Sequence, residues 1–167
     1  MLRPRTVSKQ HEVYAFLCIM NRILKRRTHS ILWAIALFFF AAYIYVSSRS
    51  ANMALYEWLD IDYYNSFFEY IRNHSVVLAP WVRFNLPDGL WLFSFLLFME
   101  GIWGNDRYMK WIFCIIIIVF AFVVEFIQFI GYFPGTGDGW DIMAYIIAIM
   151  LFLIINKLKQ ISYEKNN

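Results

Sequence analysis

Charge is scarce in this chain. Asp, Glu, Lys and Arg supply 16% of its 167 residues, where a globular domain carries about 25%. The basic excess is small, 15 Lys and Arg against 12 Asp and Glu. It is too small to argue for a nucleic-acid partner. Cysteine is nearly missing: Cys18 and Cys114 are the only two. With no C-x-x-C and no Cys/His ligand spacing, a disulfide scaffold and a structural zinc site are excluded. The three histidines, His11, His29 and His74, stand apart. There is no G-x-S-x-G, no P-loop, no internal repeat and no low-complexity tract. What the chain has in excess is apolar surface, 61% of residues. That argues against a soluble α/β or all-β domain, and against disorder except at the ends.

The apolar residues gather into four runs, 31–47, 86–103, 109–130 and 140–155. A membrane-spanning helix needs about 20 mostly apolar residues. Four such runs leave no soluble exterior to cover them. The expected fold is therefore all-α, a four-helix transmembrane bundle. Residues 1–30 form a basic segment before the first span, 48–85 a long loop between spans one and two, and 157–167 a tail.

Lys and Arg divide unevenly between the two sides. The first segment, the turn between spans two and three, and the tail hold twelve of the fifteen. Only Arg49, Arg72 and Arg83 lie in the long loop, and the turn 131–139 holds none. The asymmetry predicts both termini in the cytoplasm, with the long loop and the Gly-rich turn outside. Neither cysteine then faces the oxidising side, and a Cys/His membrane protease would lack its outward thiol.

Val13, Phe16, Leu17, Met20, Ile23 and Leu24 recur at helical spacing, flanked by Lys9, Arg22, Lys25 and Arg26. This pattern predicts a basic amphipathic helix on the inner leaflet, or a docking helix for a protein partner. The apolar stretch is too short, and lacks the small-residue cleavage site, of a signal peptide. In the long loop, Trp58, Tyr63, Tyr64, Phe67, Phe68 and Tyr70 alternate with acids. One or two short interfacial helices are expected there, with Asp60 or Asp62 as a cap. They would form a plain interfacial cover or a substrate-gating lid.

The polar residues of the spans collect at one end. Glu125 and Gln128 are three apart in span three and share a face. Asp138 and Asp141 open span four, and Arg83, Asn85 and Asp88 open span two. An ionisable group on a spanning helix costs several kcal/mol unless paired or wet. Glu125 should therefore turn inward, toward Asp88, Asp141 or Arg83. Helix starts account for part of the set: Asp138 as N-cap, Asp141 in a first turn, Asn85 ahead of Pro87. Glu100 lies near the other end, within reach of the interface or of Arg107. The segment 134–139 supplies turn residues whose amides could also bind an anion.

Glu125-x-x-Gln128, a Pro-Gly-containing turn, and Asp141 opening the last helix resemble the VanZ-like membrane proteins. Residues 85–91, Asn-Leu-Pro-Asp-Gly-Leu-Trp, are similar to that family's second-helix start. The resemblance covers roughly the last 85 residues. Here the turn carries no Arg, and Ala144 or Tyr145 stands where the family has Asn. The resemblance implies a small bacterial cell-envelope protein of the cytoplasmic membrane with an outward-facing acidic site. It implies no established reaction.

Three functions follow as expectations. The first is a binding factor, its ligand an amphipathic molecule such as a membrane lipid, a lipid-linked envelope precursor or a glycopeptide. The ligand-binding candidates are Arg83, Asn85, Asp88, Glu125, Gln128, Asp138 and Asp141. The second is an enzyme acting on a lipid head group, with Glu125 and Asp141 as catalytic candidates. Asp88, Glu125, Asp138 and Asp141 would then hold Mg²⁺ or Ca²⁺ through their oxygens. The third is a carrier or a structural subunit.

Overall fold

The structure, a computed structural model, describes residues 5–48, 66–74, 78–133 and 137–164. They form α1 (Arg5–Ser48), α2 (Ser66–Asn73), α3 (Pro80–Phe84), α4 (Leu86–Trp103), α5 (Arg107–Phe129) and α6 (Gly139–Glu164). The side chains of Val13, Phe16, Leu17, Cys18 and Ile23 lie outside the described residues. So do the candidate caps Asp60 and Asp62 and the turn residues 134–136.

Among the described residues, four helices are long and apolar enough to cross a membrane: Arg27–Ser48 of α1, α4, α5 and Gly139–Ile161 of α6. The protein is thus an all-α, multi-pass membrane protein by the length and composition of its helices. Two differences from the sequence reading concern where helices begin and end. The basic N-terminal segment and the first span are one continuous helix of 44 residues. No Gly or Pro interrupts residues 5–48, and Lys, Arg and Leu are good helix formers. At 1.5 Å per residue this helix is about 66 Å long, twice the hydrocarbon thickness. The tail expected from residue 157 likewise stays helical to Glu164. Among the described residues of the long loop there are two short helices, α2 and α3.

The central element is α4. Helices α1, α5 and α6 each pack on it. Leu92, Leu96 and Leu97 of α4 meet Ala34 of α1, Cys114 of α5, and Tyr145, Ala148 and Phe152 of α6. Trp111 of α5 meets Phe152 edge-on, ring centroids 6.2 Å apart. Close approach depends on two glycines of α4. A Cβ at Gly89 would lie 3.0 Å from the Ala144 carbonyl oxygen, and one at Gly101 would lie 2.4 Å from Ile31 Cγ1. Small residues at helix crossings let backbones approach where no hydrophobic gradient drives them together. The outward faces carry large apolar side chains, among them Phe39, Val119, Phe120 and Leu153. A soluble monomer rarely exposes so continuous an apolar surface.

Helix α5 shows the plan of the bundle in one stripe. Its buried residues are Lys110, Cys114 and Glu125. A charge thus sits at each end of one face, and other helices satisfy each. At the first end, Lys110 Nζ lies 2.9 Å from Glu100 Oε2 of α4 and 3.3 Å from Asn156 Oδ1 of α6. Lys159 Nζ of α6 lies 3.6 Å from Glu100 Oε1 and donates to Ser30 Oγ of α1 at 3.2 Å. The partners of Glu100 are therefore Lys110 and Lys159. This basic end ties all four long helices together. Between it and the opposite end, α4 runs about 27 Å, close to the hydrocarbon thickness.

Candidate functional site at the acidic end

The other end is assembled from three helix termini. Pro80 sits in the first turn of α3, where a missing N–H costs nothing. The chain then bends at Asn85, which closes α3 and opens α4. Pro87 in the first turn of α4 cannot donate to the Arg83 carbonyl. The Ser48 hydroxyl, which donates to the Ile44 carbonyl of its own helix, lies 3.4 Å from the Arg83 carbonyl. Arg83 Nε donates to the Ser48 carbonyl at 2.7 Å, and Nη2 donates to the same oxygen. The last carbonyls of a helix lack intrahelical partners, so a guanidinium is well placed at the C-terminus of α1. Arg83 thus holds α1 to the α3–α4 bend.

Helix α5 ends at a glycine. Gly131, at φ 78°, is in the left-handed region. Tyr132 N–H donates to Ile127 O at 3.1 Å, and Gly131 N–H to Gln128 O at 3.0 Å. This is the paired hydrogen bonding of a Schellman motif, which terminates a helix at such a glycine. The chain then returns over the helix it has just left. A Cβ at Gly137 would lie 2.5 Å from the Phe129 Cα and N, so only glycine allows this approach. The approach delivers the next backbone N–H, that of Asp138, to Glu125 Oε1 at 2.8 Å. Glu125 is buried, 4% exposed, and its carboxylate holds the start of α6.

Asp138 caps the same helix from within: its Oδ1 accepts the Trp140 N–H at 3.2 Å. This is the N-cap role expected from the sequence. Asp141 stands in the first turn of α6, and its Oδ1 accepts Asn85 Nδ2 at 2.8 Å. Asn85 makes no side-chain cap of its own helix; it spends its amide on the cross-helix bond. Asp88 lies half-buried in the first turn of α4. Gln128 lies half-buried one turn beyond Glu125.

The structure therefore brings Asn85, Glu125, Asp138 and Asp141 together by hydrogen bonds, and aims Arg83 at Ser48. One further residue belongs to the group. Tyr145 is buried one turn along α6 from Asp141, within electrostatic reach of Asp88, Glu125 and Asp141. Its ring meets Phe122 of α5 at 5.7 Å. The sequence signal was present, since Tyr145 is four residues from Asp141 and shares its face.

No protein-family model, curated protein or solved structure matches this chain. Function must be argued from the geometry. The acids gather where α4 and α6 begin, and helix N-termini carry partial positive charge. This explains how carboxylates can cluster while the guanidinium of Arg83 is turned to the Ser48 carbonyl. Among the described residues, no three His, Cys, Asp or Glu side chains are disposed to hold one metal ion. Ca²⁺ and Mg²⁺ take about six oxygen ligands. Here Asp141, Glu125 and Asp138 each accept a hydrogen bond from a protein N–H. What they offer a ligand is a field of acceptors at the rim of the apolar bundle.

Proposed function

We propose that this is a VanZ-like cell-envelope protein of the bacterial cytoplasmic membrane. Its acidic end faces outward and binds the polar part of a lipid-linked or otherwise amphipathic ligand. The observation that carries the reading is the convergence of Asn85, Glu125, Asp138 and Asp141 from three helix termini. The acceptors select a head group rich in N–H donors or ammonium charge, and Trp140 and Tyr132, exposed beside them, suit the body of an amphiphile. The orientation rests on the twelve basic residues of one side against three on the other.

A second reading, a structural or partner subunit, draws support from the same hydrogen bonds. Glu125 and Asp138 already satisfy backbone N–H groups of the last turn, which is a structural task. Native mass spectra after gentle extraction separate the two. The pair of substitutions Glu125→Gln and Asp141→Asn keeps an oxygen acceptor at both bonds while removing both charges. A retained amphiphile lost from that variant supports the binding reading. Identical spectra from both proteins, with no amphiphile lost from the variant, would leave the structural role.

A further inference from the structure

A slot of about 610 Å³ lies at the opposite end of the bundle, lined by side chains of α1, α4 and α6. It exists because α1 and α6 both pack on α4 and scarcely on each other. Phe93 and Leu97 of α4 form its floor, Trp33 and Leu37 of α1 one wall, and Ile155 and Leu158 of α6 the other. From His29 to Leu37 the slot follows α1 for about 12 Å. At its mouth stand His29, Ser30 and Lys159.

The two parts of the slot differ in chemistry. Its length is apolar and lies on the flank of a membrane-spanning bundle, where lipid chains are the solvent. Its mouth carries excess positive charge. Among the described residues Glu100 is the carboxylate paired there, and it faces both Lys110 and Lys159. Two ammonium groups against one carboxylate leave one positive charge over. Lys159 is the more exposed of the two, with a 38% exposed side chain against 9% for Lys110. Ser30 and His29 add a hydroxyl and a ring N–H.

We infer that this slot binds one anionic phospholipid of the adjoining leaflet, with its phosphate at Lys159, Ser30 and His29 and an acyl chain along Phe93 and Leu97. The charge at the mouth selects the anionic head group over a zwitterionic one, and the apolar slot selects a lipid over a free anion. A lysine near a membrane surface contributes about 1 kcal/mol toward an anionic lipid, which is about fivefold in retention. The site lies about 27 Å from the acidic end, and it does not depend on the function proposed there.

The full chain is reconstituted in vesicles of equal phosphatidylglycerol and phosphatidylcholine with identical acyl chains, extracted gently, and read by native mass spectrometry. The wild type should retain one phosphatidylglycerol in preference to phosphatidylcholine. Lys159→Gln should lower that preference about fivefold, while Lys110 still pairs Glu100. Ile155→Trp fills the slot and leaves every charge in place; it should release the lipid altogether. The Glu125→Gln/Asp141→Asn protein should retain phosphatidylglycerol as the wild type does. Equal retention of the two lipids, a preference unchanged in Lys159→Gln and Ile155→Trp, or a lipid-free dimer mass that shows a second copy in the slot would each overturn the inference.

Discussion

The Glu125 carboxylate on α5 accepts the backbone N–H of Asp138, the residue just before α6, at 2.8 Å. A buried acid on one helix thus holds the residue that caps the next. The bond needs an oxygen acceptor and not a charge. Glu125→Gln should therefore fold as the wild type does and melt within about 2 °C of it in detergent, the shift of a change well below 1 kcal/mol. Glu125→Ala removes the acceptor and should cost about 1 kcal/mol, as loss of a hydrogen bond does. If Glu125→Gln melts as low as Glu125→Ala, the carboxylate charge itself holds the turn, and the hydrogen-bond account fails.

Gly89 sets the distance between α4 and α6, and with it the 2.8 Å bond from Asn85 to Asp141. A Cβ there already meets the Ala144 carbonyl oxygen at 3.0 Å and the Ala144 Cβ at 3.1 Å. Gly89→Val must push the helices apart, at about 1–3 kcal/mol. Gly139→Ala is the control, because a Cβ at Gly139 has nothing within 4 Å. It should stay within about 0.5 kcal/mol of wild type. Thermal melts of the two purified variants check the pair. A wild-type melt for Gly89→Val would mean that the helix contact is soft and that Gly89 does not position the site.

The four apolar runs were legible in the sequence because hydropathy needs no tertiary context. Asp138 was legible as a cap because capping is local. The partner of Glu125 was not, because it is a backbone N–H, and backbone groups leave no mark in side-chain patterns. Arg83 reads as a counter-charge for acids, yet the end of α1 leaves a carbonyl at Ser48 that draws the guanidinium to it. Asn85 reads as a cap and acts across helices instead. Glu100 reads from the sequence as reaching the interface or Arg107. Only packing shows that the stripe holding Lys110, and not Arg107 at the exposed start of α5, turns toward it.

That pairing gives a third expectation. Lys110 is buried, with Glu100 Oε2 at 2.9 Å and Asn156 Oδ1 at 3.3 Å. Removing one member of a buried pair leaves the other charge uncompensated, at about 3–5 kcal/mol. Glu100→Leu should therefore lower the melting temperature strongly. Glu100→Leu/Lys110→Leu should recover much of the loss, since replacing a buried pair by apolar groups is often neutral. The coupling should change little with salt, because buried pairs are weakly screened. A double variant that melts no higher than Glu100→Leu would show that the two side chains do not interact as drawn.

Orientation in the membrane is open to a direct chemical test, and the geometry decides where to place the probes. Gly137 lies in the turn before α6 but cannot accept a side chain, since a Cβ would meet the Phe129 backbone at 2.5 Å. Tyr132, 85% exposed in the same turn, can. Arg107, exposed at the start of α5, marks the opposite end. In a background with Cys18→Ser and Cys114→Ser, Tyr132→Cys should react with an impermeant thiol reagent on intact cells. Arg107→Cys should react only after lysis. The acidic site then faces outward and the phospholipid slot lies in the inner leaflet, as the Lys and Arg asymmetry requires. The reverse labelling would turn the bundle over: the acids would meet a cytoplasmic ligand, and an envelope precursor displayed outside could not reach them.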